Sequence, residues 1–141
     1  MSIGNSLERR EVVTAFLRHQ GKILLVKRSN KVGSYQGHWS AISGYLEDPT
    51  PLAQVQREIR EETGLGTDDV ELISSGSPIE IEAPEQQCCW VVHPFLFEID
   101  NPDQVRLDWE NTELSWIEPS SLVDYKTVPM LQEAFNACQV E

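Results

Sequence analysis

The chain has no hydrophobic run long enough to cross a membrane, because none of its apolar stretches approaches the ~20 residues that a spanning helix needs. Its first residues contain neither the apolar core of a signal peptide nor a glycine at position 2 for myristoylation. Cysteine is scarce, and Cys88, Cys89 and Cys138 form neither a Cys-x-x-Cys pair nor an even disulfide set. These absences predict a soluble intracellular, cytoplasmic protein with no membrane partner.

Positive charge is also scarce, since 11 Lys and Arg residues stand against 23 Asp and Glu residues and the net charge is -12. A long nucleic acid is therefore not expected as a partner, because its backbone requires a basic stripe. Most of the basic residues lie in the first 31 positions, ahead of an acidic body. This distribution suits either a small phosphorylated ligand, bridged by metal to carboxylates and held by cations, or a solubilising surface.

The 141 residues contain no linker, repeat or low-complexity tract, and they predict a single globular domain over positions 1–141. Runs of β-branched and apolar residues predict strands at 11–19, 22–27, 39–45, 70–77, 78–81, 87–99 and 112–117. Helical segments are predicted at 51–63, 119–123 and 128–139, with a polar loop at 101–111. Mixed strands with an early and a late helix indicate an α/β sandwich.

The helix at 51–63 has clear start and stop signals. Thr50 precedes Pro51 as an N-cap followed by a proline at the first helical position, and Gly64 supplies the stop. Leu52, Val55 and Ile59 form its predicted apolar stripe, which is expected to pack against the sheet. The same helix carries an acidic stripe beside the apolar one.

Glu58, Glu61 and Glu62 form that acidic stripe, within an arc of about 100°. Like charges at these spacings repel, and burial at the edge of the core makes the repulsion more expensive. A bound cation would relieve it, and oxygen-only ligands suit Mg²⁺, Mn²⁺ or Ca²⁺. The alternative is a solvated acidic face without a ligand.

Residues 57–65 read Arg-Glu-Ile-Arg-Glu-Glu-Thr-Gly-Leu, and this stretch resembles the signature of the Nudix (MutT-like) hydrolases. That signature is Gly, five residues, Glu, seven residues, then Arg-Glu-apolar-x-Glu-Glu-x-Gly-apolar, and its second half matches at every specified position. The resemblance covers about positions 10–138, with Trp39 before a glycine and Trp116 near the end of a later strand. It implies a Nudix-type α/β/α sandwich with a mixed β-sheet, a catalytic loop-helix-loop and a C-terminal helix.

The first half of the signature departs from the family pattern. Pro49 stands where the pattern has Glu, and Ser43 stands where it has Gly. Gly44 follows one position late, which indicates a loop shortened by one residue. Glu47 and Asp48 are both candidates to replace the missing acid and to pair with the arginine of the helix.

The resemblance implies that metal-activated water hydrolyses the pyrophosphate bond in a nucleoside diphosphate linked to another moiety. The implied cofactor is Mg²⁺, with Mn²⁺ as a possible substitute. The metal ligands implied by position are Glu58, Glu61, Glu62 and the Gly44 carbonyl. The implied catalytic residues are Glu61, Glu58 and Arg57, and the role of Arg57 is to pair with a carboxylate that orients the helix.

Further site residues are less closely specified. The general base is either Glu61 or a loop acid, for which Glu110 and Glu113 are the candidates. Arg28 and Lys27 follow the second predicted strand, where a basic side chain could hold a substrate phosphate. Trp109 lies in a polar loop and is a candidate for stacking on a base.

Two other functions remain open at this level. The shortened signature permits a non-catalytic Nudix-fold module that binds a nucleotide or a protein, although retention of all three helix carboxylates favours an enzyme. A divalent-ion binding protein of another type is disfavoured because the sequence has no EF-hand loop. Neither the nucleotide derivative nor the oligomeric state is specified by the sequence, and a homodimer is possible.

Overall fold

A computed structural model describes residues 7–33 and 35–139 of the chain. The strands of its sheet are β1 Glu8–His19, β2 Lys22–Arg28, β3 Trp39–Ser40, β4 Ile42–Tyr45, β5 Val70–Ser75, β6 Ile79–Ala83, β7 Cys88–Ile99 and β8 Asn111–Ile117. The α-helices within the described residues are α1 Pro51–Thr63 and α2 Leu131–Ala137. Short 3₁₀ turns lie at Thr67–Asp69, Pro84–Gln86, Pro102–Gln104 and Pro119–Asp124. Apart from their ends, most elements agree with the sequence prediction.

Strand β1 is the centre of the sheet. It pairs in parallel with β7 along its length, from Glu8 opposite Cys88 to Arg18 opposite Glu98. Its other edge pairs antiparallel, first with β4 and then with β2. Strands β3 and β8 pair with β2, and β5 and β6 pair with β7. The sheet is therefore mixed, as predicted.

The prediction of one strand over residues 39–45 is wrong, because this segment forms two strands that pair with different partners. Strand β3 pairs with β2, whereas β4 pairs with β1, and the chain passes between them at the buried Ala41. The cause is that β1 and β2 pair only next to their hairpin, at Arg18 with Ile23 and at His19 with Lys22. Beyond that point the two strands diverge, so one continuous strand cannot pair with both.

Side chains alternate between the two faces of the sheet. On β1, Val13 belongs to the core cluster that includes α1 residues, and Phe16 belongs to the cluster that includes α2 residues. The ring of Phe16 meets the ring of Phe135 of α2 edge to face, with centroids 5.1 Å apart. One helix thus packs on each face, and the α/β/α sandwich expected from the resemblance is confirmed.

Helix α1 begins and ends as the sequence predicts. Thr50 Oγ1 accepts a hydrogen bond from Ala53 N at 3.1 Å, and Pro51 occupies the first turn. Gly64 ends the helix in the left-handed conformation, with φ of 81°, and its N–H donates to the carbonyl of Arg60 at 2.9 Å. These local signals fix the ends of α1 independently of the rest of the fold.

The buried face of α1 is rotated from the expected one. Val55 and Ile59 are buried as predicted, but the expectation for Leu52 is wrong, because 37% of its surface is exposed. Gln54, Glu58 and Glu62 are buried beside the apolar pair. The helix therefore directs two of its carboxylates and one amide toward the sheet.

The C-terminal helix is shorter than predicted, since α2 covers Leu131–Ala137 rather than residues 128–139. Val128 lies before the helix, where its N–H donates to the carbonyl of Trp39 at 2.9 Å. Met130 then adopts a left-handed conformation, with φ of 66°, immediately before the first turn. Among the described helices none is both long and apolar enough to cross a membrane.

Candidate metal and substrate site

Three glutamates from two segments of the chain converge beside α1. Glu58 and Glu62 lie one turn apart on α1, and Glu110 lies in the loop before β8. Each offers a carboxylate oxygen, and these oxygens all lie within 4.8 Å of one another. Only 8% of Glu58 and 2% of Glu62 is exposed. Since ionised carboxylates repel strongly away from water, this cluster requires either a cation or retained protons.

Glu62 has a buried oxygen atom that lacks a partner. Its Oε1 accepts a hydrogen bond from Asn111 Nδ2 at 3.1 Å, but its Oε2 has no hydrogen-bond partner among the described residues. Burial raises the pKa of Glu62 well above its usual value, and the charges of Glu110 and Glu58 add to this effect. An orphaned, buried carboxylate oxygen next to two further carboxylates fits Mg²⁺ or Mn²⁺, which prefer oxygen ligands.

Glu58 is confined from two sides. Its Oε2 accepts a hydrogen bond from Gln54 Nε2 at 2.9 Å. Gly44 of β4 lies so close that a Cβ at this position would overlap the Glu58 carboxyl group. Burial raises the pKa of Glu58, and the hydrogen bond from Gln54 partly opposes the rise. A glycine is therefore needed at position 44 for Glu58 to occupy this position.

Glu110 and Arg28 place opposite charges beside the cluster. Burial raises the pKa of Glu110 to about 7, with Asp108 adding to the rise and Arg28 opposing it. Burial lowers the pKa of the Arg28 guanidinium, while the charges of Glu62 and Glu110 act to raise it. Arg28 thus supplies a partly buried positive charge next to the acidic cluster, where it is suited to bind an anion.

The remaining acids and bases named from the sequence lie in different environments. Glu61 is exposed and lines the cavity beside the cluster. Glu113 and Lys27 form an ion pair across β8 and β2, with Nζ and Oε2 3.5 Å apart. Neither member of this pair lines the cavity. The structure therefore brings Glu58, Glu62 and Glu110 together and leaves Glu113 and Lys27 outside.

The shortened loop between β4 and α1 contains the acid that pairs with Arg57 of the helix. Asp48 Oδ1 lies 2.6 Å from Nη2 of Arg57, and these two residues form an ion pair. Glu47 instead lines the cavity. Asp48 therefore supplies the carboxylate that the sequence pattern lacks at Pro49.

A cavity of about 400 Å³ adjoins the acidic cluster. Such a volume lies within the ~300–1,000 Å³ typical of small-molecule sites. Its acidic and basic lining consists of Glu47, Glu58, Glu61, Glu110, Arg28 and Lys31. Its aromatic lining consists of Tyr35, Tyr45, Trp90 and Trp109. Its apolar walls include Val12, Ile81, Val92, Val128, Met130 and Leu131.

Trp109 and Tyr45 are the most exposed aromatic residues of this lining, with 59% and 54% of their surfaces exposed, and Trp109 has the larger ring. A large aromatic ring exposed at a cavity offers a face for stacking on a planar ligand. The cavity therefore combines an acidic cluster, two cations and an accessible aromatic ring. Together these features suit an anionic ligand that carries a planar group.

Two polar residues at the site escaped the sequence analysis. Asn111 is buried at the start of β8 and donates to Glu62, but its position after a polar loop gives no signal of this contact. Gln54 is buried on α1 and donates to Glu58. Its spacing of four residues from Glu58 is a usable signal, because side chains at this spacing are neighbours on a helix.

Comparison with known proteins gives a single family. The family model for the NUDIX domain matches residues 8–137 of the chain. No curated protein matches it.

Solved structures share the fold at low sequence identity. The MutT protein from Methanosarcina mazei Go1 has a TM-score of 0.74 and 22% identity, with 92% of this chain and 91% of that chain covered. The binary complex of a C. elegans Ap4A hydrolase has a TM-score of 0.70 and 18% identity, with 92% and 93% covered. The E. coli ORF135 protein has a TM-score of 0.69 and 26% identity, with 97% and 94% covered.

Proposed function

The chain belongs to the NUDIX domain family and is an enzyme of the Nudix hydrolase type, and we propose that it cleaves a pyrophosphate bond with the help of Mg²⁺ or Mn²⁺. The proposed substrate is a nucleoside diphosphate linked to another group, such as a nucleotide, a sugar or a further phosphate.

The single observation that carries this proposal is the buried, unpartnered Oε2 of Glu62 beside Glu58 and Glu110. These three residues would hold the ion together with the Gly44 carbonyl, and Glu61, which lines the cavity, is proposed as the base. Arg57 acts indirectly, because its ion pair with Asp48 fixes the loop at the start of α1.

The reaction is an attack of water on phosphorus. When bound, a divalent ion offsets the charge on the phosphate oxygens and lowers the pKa of a water molecule. Arg28 binds a phosphate oxygen from the cavity wall. Glu61 accepts a proton from the water as the water oxygen bonds to phosphorus, and Glu110 is the alternative acceptor. The bridging P–O bond breaks, and its electron pair leaves with the departing phosphate group.

A nucleotide substrate is supported by the cavity and by a relative. Arg28 suits a phosphate, and Trp109 offers a ring face on which a nucleobase can stack. One protein of the same fold is an Ap4A hydrolase, which acts on a nucleotide. The net charge of -12 disfavours a long nucleic acid in place of a small nucleotide.

The test is hydrolysis of a panel of nucleoside diphosphate derivatives by purified protein with Mg²⁺ or Mn²⁺. Glu62→Gln keeps the shape of the side chain and removes its charge, and it is expected to abolish metal-dependent cleavage. Glu118→Gln, an exposed residue between β8 and a 3₁₀ turn, serves as the matched control and should behave as wild type. No cleavage of any panel member, or full activity of Glu62→Gln, would contradict the proposal.

A non-catalytic binding module is the hypothesis that the sequence left open because of the shortened loop. It predicts that a nucleotide binds and raises the melting temperature while no product forms. The same panel therefore separates the two functions. A cytoplasmic location is also proposed, since Cys88, Cys89 and Cys138 are free and buried thiols.

A further inference from the structure

Gln54 makes hydrogen bonds with three different groups from a fully buried position on α1. Its Oε1 accepts from the backbone N–H of Glu47 at 2.7 Å and from that of Asp48 at 2.8 Å. Its Nε2 donates to Oε2 of Glu58 at 2.9 Å. Only 1% of the Gln54 surface is exposed, so water does not compete for these bonds.

These partners fix the orientation of the amide. Two backbone N–H groups can be satisfied only by the oxygen of the Gln54 side chain, so its NH₂ group must face Glu58. The amide therefore connects the loop after β4 with an acid of the cluster. If it were removed, the N–H groups of Glu47 and Asp48 would lose their acceptor and Glu58 would lose its donor.

The contact limits the movement of Glu58. Rotation of a glutamate about its last side-chain bond meets only low barriers, so an unrestrained carboxylate samples many orientations. The Nε2 of Gln54 holds one oxygen of Glu58, and Gly44 leaves only the space that the carboxyl group already fills. Glu58 is thereby held in one orientation before any ligand binds.

We propose that Gln54 is a positioning residue that orients Glu58 for the divalent ion and fixes its distance from the loop between β4 and α1. This inference rests on the proposed function, because it requires Glu58 to be a metal ligand. A residue that merely stabilised the fold would affect the melting temperature but not the affinity for the ion. A positioning residue affects the affinity, and does so through Glu58.

The experiment is a double-mutant cycle with Mn²⁺ as the probe. Gln54→Met has a similar length but neither donates nor accepts hydrogen bonds, and Glu58→Gln removes the charge of the partner. Mn²⁺ dissociation constants are measured by electron paramagnetic resonance for wild type, both single variants and the double variant. Gln56→Met, on the same helix but half-buried and outside the cavity lining, is the matched control.

Gln54→Met is expected to weaken Mn²⁺ binding about 10- to 100-fold, the usual effect of removing a group that orients a metal ligand. In the Glu58→Gln background the same change should have less than about threefold effect, because the residue through which it acts is already altered. Gln56→Met should bind Mn²⁺ as wild type does. The kcat at saturating Mg²⁺ should fall for Gln54→Met with little change in KM for the substrate.

Two results overturn the inference. One is wild-type affinity in Gln54→Met, and the other is an equal loss in both backgrounds, which would mean that Gln54 does not act through Glu58. If Gln54→Met does not fold, Gln54→Asn replaces it, since its amide is one methylene too short to reach both partners. Absence of Mn²⁺ binding by the wild type would overturn the proposed function as well, which distinguishes the two failures.

Discussion

Gly44 and Glu58 are in such close contact that no side-chain carbon fits between the strand and the carboxyl group. The contact joins β4 to α1 at the acidic cluster. Glu58 can keep this position only because residue 44 of β4 has no side chain.

Gly44→Ala should therefore displace Glu58 without unfolding the protein. The atoms that the new Cβ meets are the end of a flexible side chain, so the fold should persist, and the melting temperature should fall only by what the lost hydrogen bond from Gln54 to Glu58 contributes. The affinity for Mn²⁺ should fall about tenfold or more, because a proposed ligand has moved. Gly66→Ala is the control, since its Cβ would meet only Asp69, at 3.5 Å. Unchanged Mn²⁺ affinity in Gly44→Ala would contradict this prediction.

The stability of the metal-free protein should fall as the pH rises. Burial raises the pKa of Glu58, Glu62 and Glu110 above the value of 4.5 that they have when unfolded, to about 7 for Glu110. At pH values between the unfolded pKa and the raised folded pKa, these carboxyl groups hold more protons in the folded state than in the unfolded state. The free energy of unfolding therefore decreases as the pH rises through this range. The melting temperature without metal should be higher near pH 5.5 than near pH 8, and Glu62→Gln should reduce the difference.

Saturating Mg²⁺ should restore the stability that the protein loses at the higher pH, because a bound cation stabilises the ionised carboxylates. Differential scanning fluorimetry of wild type and Glu62→Gln across this pH range, with and without Mg²⁺, measures both effects. Equal pH dependence in the two proteins would show that burial does not raise the pKa of Glu62 in the folded state.

Arg28 and Lys27 are adjacent but should contribute differently to substrate binding. Arg28 lines the cavity, whereas Lys27 pairs with Glu113 outside it. Arg28→Gln should raise KM about 10- to 100-fold, as expected for loss of a charge-assisted hydrogen bond to phosphate. Lys27→Gln should change KM less than about threefold, since an exposed ion pair contributes little. Steady-state kinetics of the two variants test this, and equal effects would restore Lys27 as a substrate ligand.

Replacing each candidate base separately should distinguish metal binding from proton transfer. Glu61→Gln should lower kcat by about 10²-fold or more while Mn²⁺ still binds, as expected when a general base is lost. Glu110→Gln should weaken Mn²⁺ binding, because Glu110 belongs to the carboxylate cluster. Glu113→Gln should leave both properties unchanged, since Glu113 lies outside the cavity. Loss of Mn²⁺ binding in Glu61→Gln would make Glu61 a ligand instead of the base.

The parts of the fold that could be predicted are those encoded locally. Helix α1 has its ends fixed by Thr50, Pro51 and Gly64, all within one turn of the residues that they act on. The spacing of Glu58 and Glu62 follows from the helix itself. No knowledge of the other segments was needed for these features.

The features that could not be predicted depend on contacts distant in sequence. The division of residues 39–45 at Ala41 follows from the divergence of β1 and β2. The late start of α2 follows from the contact of Val128 with Trp39 and from the left-handed Met130 after it. Asn111 reaches Glu62 across 49 positions of the chain. The path of a short loop determines that Asp48, and not Glu47, pairs with Arg57. Sequence periodicity does not predict the path of a loop.

Leu131 and Ala134 of α2 line the cavity and also belong to the buried cluster around Phe16. A substitution that reshaped the cavity at these positions would also change the packing of the core. Trp109 lines the cavity but does not pack in the core, because it is exposed in a loop. Changes of substrate preference should therefore arise more readily on the Trp109 side during evolution or directed selection, and those on the α2 side should need compensating changes in the core.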